Sequence, residues 1–314
     1  MRIALFGAGG VGGYFGGRLA QAGEDVVFIA RGRHLQAMRE DGLRVDSILG
    51  DFTVRPVQVT DNPAEVGPVD AIIVAVKAWQ VPEAAEAMRP MVGPETFVVP
   101  LLNGVEAPAQ LAAVLGQAHV LGGLCRIISY IAGPGHVHHT GIDPYIAFGE
   151  LDKGYSERVE RLHAVLAGAQ GLTVDVPADI QVAMWRKFLL IAPWSGVGAV
   201  TRAPIGVFRS LPQTRLMLKQ AMVEVAAVAR ARDIALPDGL VEQTMAFVDG
   251  LPADGTASMQ RDIMEGRPSE LEAQNGAVVR LGREAGVATP VNAFIYHSLL
   301  PLELRARGRI HFTL

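Results

Sequence analysis

The sequence predicts an α/β chain: an N-terminal Rossmann-type doubly wound sheet followed by a mostly α-helical C-terminal domain. Three observations carry that expectation. Apolar runs of strand type alternate with helical periodicity from Met1 to about Pro177, a glycine-rich turn breaks the first alternation, and strand signals largely vanish after Pro177. The expected division is into domains of residues 1–177 and 178–314.

The elements follow in order. Ile3–Phe6 is a short apolar strand, and Phe15, Leu19 and Ala20 then recur at helical spacing. Asp25–Ala30 is a second strand. Ala71–Val76 and Thr96–Leu102 are continuous apolar runs, as strands buried on both faces would be. Helices are expected over Pro82–Val92 and Glu106–Leu115. Further strands are expected at Val120–Ile131, Val137–Thr140, Tyr145–Gly149 and Thr173–Val176. Pro134-Gly135 marks an antiparallel hairpin at the sheet edge. Asp179 can cap a helix running past Lys187. Long helical periodicities follow over Pro212–Arg232, Gly239–Val248, Ser269–Ala285 and Asn292–Arg307.

Between the first strand and its helix stands Gly7-Ala8-Gly9-Gly10-Val11-Gly12, a G-x-G-x-x-G. Gly7 permits the tight turn, Gly9 lets a pyrophosphate reach the backbone, and Gly12 lets the helix pack close to the strand. The unpaired N–H groups at the helix start then face the phosphates. Glycine-rich turns are common, so the setting carries the reading: a strand before, a helix after and a second strand next. A secretory signal is not expected, because glycines crowd the stretch and Arg18 interrupts it.

The second strand ends in Arg31-Gly32-Arg33-His34, with no carboxylate to hold a ribose 2′-hydroxyl. Small Ala30 leaves room, and Arg31 suits the planar, charge-assisted contacts of a 2′-phosphate. The expected cofactor is NADPH. Arg33 either assists or opens the next helix as a solvated residue.

Composition excludes several classes. A net charge of −4, with no long basic run, argues against nucleic acid. The longest apolar stretch, Phe188–Val200, is interrupted by Pro193, Ser195, Gly196 and Gly198 and is too short to span a bilayer. Cys125, the sole cysteine, forms no intramolecular disulfide, so a cytoplasmic location is expected. It lies in an apolar strand and reads as core. His136, His138 and His139 lack a completing cysteine or carboxylate cluster, so no metal is expected. Trp79, Trp185 and Trp194 read as packing.

These residues, with further markers, resemble the ketopantoate reductase (2-dehydropantoate 2-reductase) family across nearly the whole chain. The markers are the glycine motif, Val76-Lys77-Ala78-Trp79-Gln80 and Leu102-Asn103-Gly104-Val105. Further on come Pro134-Gly135 with Thr140-Gly141, Ala147 to Asp152, Trp185-Arg186-Lys187 and the segment 258–276. The resemblance implies NADPH-dependent reduction of a 2-oxo acid in pantothenate biosynthesis, with Lys187 as general acid. From its local sequence alone, Lys187 reads as a lysine snorkelling from an apolar helix. The resemblance makes it the group that stabilises and then protonates the alkoxide formed at C2. It likewise implies that Ser258 and Glu270 bind substrate, Glu270 also positioning Lys187, although both positions suit helix caps. Lys77 and Asn103 are implied near the nicotinamide and its ribose, Asn103 reaching substrate as well, and Gln80 is a weaker cofactor candidate.

Two departures bear on the substrate. The family commonly places asparagines four and eight residues after the catalytic lysine; here those positions are Ile191 and Ser195. Pro193 between them is expected to kink or interrupt the helix. The alternatives are a paralogue acting on a more apolar oxo or hydroxy acid, or a non-catalytic NADP(H)-binding sensor. The long C-terminal helices are compatible with a homodimer.

Overall fold

The computed structural model describes residues 1–313, which form two compact units: 1–102 with 107–183, and 103–106 with 184–313. The first contains β1 (Arg2–Phe6), α1 (Gly10–Gln21), β2 (Asp25–Ile29), α2 (Gly32–Asp41), β3 (Leu43–Ser47), β4 (Phe52–Val54), β5 (Gln58–Thr60) and β6 (Ala71–Val74). It continues through α3 (Val81–Met88), β7 (Phe97–Pro100), α4 (Ala107–Leu115), β8 (Gly122–Gly133), β9 (His136–Gly149), α5 (Glu157–Gly168) and β10 (Thr173–Asp175).

Two sheets result. The parallel sheet has the order β5-β2-β1-β6-β7, with β1 paired to β2 on one side and to β6 on the other. Strand order therefore reverses at β1, and the crevice beyond its carboxyl end is where such sheets bind ligands. The second sheet is β10-β9-β3-β4 with β8 paired to β9, and the residues leading into β8 touch the first, Leu121 N donating to the Val98 carbonyl oxygen of β7 at 3.0 Å. The expected antiparallel hairpin is β8–β9; it leaves from the edge of the parallel sheet, where Val120 bridges Val98 of β7, but its ladder belongs to the second sheet. Helix α1 packs between that sheet and β1 and β2. A Cβ on Gly16 would strike Leu5 and Phe28 of the first sheet; one on Gly17 would meet Phe52 and Leu43, and one on Gly13 Val137, all of the second. Side chains at these positions would force the two sheets apart, so glycine is what lets them share one helix. The opposite face of the parallel sheet buries Val27, Ile72 and Val98 under Ala84, Met88 and Leu111 of α3 and α4.

The second unit is helical: the rest of α6 (Ile180–Thr201), α7 (Ile205–Ser210), α8 (Pro212–Ala231), α9 (Leu240–Asp249), α10 (Ser258–Met264), α11 (Ala277–Glu284) and α12 (Pro290–Ala306). Asp179 caps α6, its Oδ1 accepting from Val182 N at 3.1 Å. The helix continues without a break through Pro193, contrary to the expected interruption. A proline removes one backbone bond, but buried Phe188, Leu189, Ala192 and Val197 hold the turns on either side. The expected helix over Ser269–Ala285 instead begins with a π-helical turn, Glu272–Gly276. Among the described residues no helix is long and apolar enough to cross a membrane.

Candidate active site

The glycine motif closes the crevice at β1. Gly7 has φ +102°, and a Cβ there would lie 2.9 Å from the Ala75 carbonyl oxygen, so the turn admits only glycine without strain. A Cβ on Gly12 would lie 2.0 Å from the Gly7 carbonyl oxygen. One on Gly10 would lie 2.5 Å from the Ser129 carbonyl oxygen of β8. Gly9 is the exception, with nothing within 4 Å of its would-be Cβ. The backbone is thus packed tight on the protein side and open at Gly9, the shape a pyrophosphate needs. Ala8 is buried, Val11 half-buried in the first turn of α1, and no side chain occupies the N-cap at Gly9. These residues fit a dinucleotide.

Arg31 follows β2 and precedes α2, exposed, its guanidinium 3.2 Å from Glu83 of α3. An ion pair this exposed is worth little, about 0–1 kcal/mol, so an incoming phosphate can replace the carboxylate. Glu83 was not legible as Arg31's neighbour, since the two lie 52 residues apart. Lys77 follows β6, its ammonium 5.8 Å from the Trp79 ring centroid. Gln80 accepts from Lys77 N at 3.1 Å, so its carbonyl end serves the local turn. His34, in the first turn of α2, accepts from Gly135 N at 3.1 Å, and burial holds its imidazole below the ordinary histidine range. It ties the β8–β9 turn to α2.

In the second unit Asn103 and Glu270 meet: Asn103 Nδ2 donates to Glu270 Oε2 at 3.0 Å, and Glu270 is 5 % exposed. Three contacts seat the short segment 103–106. Besides that bond, Arg280 grips Glu106 with two nitrogens, at 3.3 and 2.6 Å, and Gly104, at φ +95°, leaves no room for a Cβ against Ala273. Lys187 is half-buried on α6 between Trp185 and Phe188, whose rings pack edge-to-face. Ile191 and Ser195 follow at four-residue steps, which puts the three on one helical face. Ile191 is half-buried. Ser195 is fully buried, and its hydroxyl has no hydrogen-bond partner among the described residues. Ser258 opens α10, half-buried, without serving as its cap.

The three histidines hold local partners. His136 contacts Asp46, His138 contacts Tyr130 Oη, and His139 bridges Ser47 Oγ and the Ile142 carbonyl oxygen, each at 2.9 Å. Sequence reasoning missed the buried polar residues Glu224, Asn275, Asn292 and Glu303 of the second unit. Their only signal is a polar residue inside a helical apolar frame.

Known proteins resemble this chain in sequence and fold. The family model described as Ketopantoate reductase PanE/ApbA matches residues 3–153, and Ketopantoate reductase PanE/ApbA C terminal matches residues 179–303. A 2-dehydropantoate 2-reductase of Nostoc sp. is 31% identical over 310 residues, 98% of this chain and 96% of that protein. The crystal structure of a 2-dehydropantoate 2-reductase from Geobacter metallireducens superposes with a TM-score of 0.89 at 33% identity, covering 96% of this chain and 99% of that one. A PanE/ApbA family ketopantoate reductase from Ralstonia eutropha gives 0.89 at 31%, covering 98% and 100%.

Proposed function

Starting from the chain's membership of the ketopantoate reductase family, a family of nicotinamide-dependent oxidoreductases, we propose that it reduces a 2-oxo acid to the 2-hydroxy acid with NADPH. The observation that carries this reading is the bond between Asn103 and Glu270. Residues 167 apart, each assigned to the site by family resemblance, meet at 3.0 Å. In this reading residues 1–177 bind the cofactor and 178–314 bind substrate.

Gly7 to Gly12 would hold the pyrophosphate, Arg31 the 2′-phosphate, and Lys77 and Asn103 the nicotinamide ribose side. Bound there, the nicotinamide supplies the hydride. Lys187 stabilises the alkoxide that develops at C2 and donates its proton. Glu270 accepts a hydrogen bond from a substrate hydroxyl, its carboxylate held by the Asn103 amide. Ser258 binds the substrate carboxylate. Arg31→Ala should weaken NADPH binding by about 1–3 kcal/mol, the scale of a charge-assisted contact, and leave NADH binding nearly unchanged. Fluorescence titration with both cofactors reads this, and equal losses would remove Arg31 from phosphate recognition.

Ile191 favours a substrate more apolar than ketopantoate. A buried polar group facing Ile191 lacks a partner, at a cost of about 1–3 kcal/mol, roughly ten- to a hundredfold in kcat/KM. The test is NADPH consumption with ketopantoate beside a panel of branched and aromatic 2-oxo acids. Ketopantoate should be a weak substrate and Ile191→Asn should improve it. If ketopantoate is already the best substrate, the apolar reading of the pocket fails; if no acid is turned over, the chain is a binding protein rather than a reductase.

A further inference from the structure

Glu270 heads a stretch of chain that α12 grips at both ends. At the near end Glu303, 4 % exposed, accepts from Ser269 N at 3.2 and 3.0 Å and from Ser269 Oγ at 2.5 Å. Arg307 donates to Glu303 at 2.6 Å and to the Ser269 carbonyl oxygen at 3.0 Å. At the far end Asn275 Nδ2 donates to Asn292 Oδ1 at 3.0 Å. Asn292 Nδ2 in turn donates to Glu224 at 2.7 Å, and the same carboxylate accepts from Val291 N and Asn292 N at 2.8 and 2.9 Å, capping α12.

Between the grips lies the π-helical turn, where Gly276 N donates five residues back to the Leu271 carbonyl oxygen at 2.9 Å. Such a turn is intrinsically poor and persists where its surroundings over-determine it. The Asn275 amide also rests against α6 where only glycine fits: a Cβ on Gly196 would lie 2.6 Å from Asn275 Oδ1. That is the helix that carries Lys187. Two buried carboxylates and two buried amides are an expensive set to desolvate, and the chemistry above uses none of them. What they have in common is the placement of residues 269–275.

We propose that Glu303 and Asn275 are positioning residues that clamp the segment 269–275 from both ends and so fix the Glu270 carboxylate against Asn103. The proposal rests on the role of Glu270 given above. Misplacing a reacting group by about an ångström can cost a hundredfold in rate without loss of the fold. The clamp is what prevents that displacement.

Three variants test it: Glu303→Gln, Ser269→Ala and Asn275→Ala, each alone and combined with Glu270→Ala. They are assayed with NADPH and the fastest 2-oxo acid of the panel. Each single variant should lose roughly ten- to a hundredfold in kcat/KM, mostly in kcat, with NADPH affinity within about twofold of wild type. In the Glu270→Ala background the same change should add less than about a twofold loss, because the acceptor to be positioned is gone. Wild-type kcat/KM in the folded single variants, or losses that multiply with that of Glu270→Ala, overturn the proposal. Where Glu303→Gln does not fold, Ser269→Ala decides, since it keeps the backbone N–H on Glu303. If Glu270→Ala is itself fully active, the reading of Glu270 fails and the clamp with it. If only the clamp variants are fully active, the clamp alone fails.

Discussion

Replacing Lys187 by alanine should lower turnover by roughly 10²–10⁴-fold, the range usual for loss of a general acid, with NADPH binding nearly intact. The motive is its place on α6: a half-buried lysine in a run with buried Met184, Trp185, Phe188 and Leu189. Lys187→Arg should not restore the rate. It keeps the positive charge, but a guanidinium with a pKa above about 12 gives up no proton near neutrality. Single-turnover kinetics with a saturating 2-oxo acid separate the chemical step from binding. Near-wild-type turnover by Lys187→Ala would take the lysine out of the mechanism.

The second large effect is expected inside the glycine motif, where two alanine substitutions should behave oppositely. Gly12→Ala places a methyl 2.0 Å from the Gly7 carbonyl oxygen, and only backbone movement can relieve that clash. It should cost about 3 kcal/mol or more, appearing as lost stability or, if the turn shifts intact, as a loss of about a hundredfold or more in NADPH affinity. Gly9→Ala meets nothing within 4 Å, and its φ of −70° suits any residue. Stability should therefore stay within about 0.5 kcal/mol while NADPH affinity falls, because the methyl occupies the opening left for the pyrophosphate. Urea denaturation and cofactor titration on both variants check the pair. Unchanged affinity in Gly9→Ala would mean that the phosphates do not lie over Gly9.

What the sequence made legible differs between the glycine turn and the Asn103–Glu270 pair. The glycine turn, α1 and the start of β2 occupy fewer than thirty contiguous residues, and each carries a local signature of turn chemistry or periodicity. The meeting of Asn103 with Glu270 carries none, because it joins residues 167 apart. Strands β3 to β5 escaped notice because they are short and mixed in polarity, although Leu43 and Val45 are buried on either side of exposed Arg44. Strand β9 read as two strands, and its ladder does break there. Arg126 pairs with Tyr145 and Ile128 with Thr140, so residues 141–144 bulge out of register. The π-helical turn was not legible because a single turn, Glu272–Gly276, is too short to show a period of its own. Glu224 and Glu303 carry no local signal, since charged helix residues usually face solvent and only tertiary packing buries these two.

Helix α1 also has a consequence for how the chain comes together. Glycine at positions 10, 12, 13, 16 and 17 leaves this helix little tendency to form by itself, each costing about 1 kcal/mol relative to alanine. An isolated helix of 12 residues with that composition does not nucleate in water. Its order comes from Leu5 and Phe28 on one side and from Leu43, Phe52 and Val137 on the other, and Val137 lies more than a hundred residues downstream. Contacts that close so long a loop form more slowly than local ones, so the last side of α1 to be covered should be the one facing Val137. The packing of α1 is therefore complete only once β9 has been made.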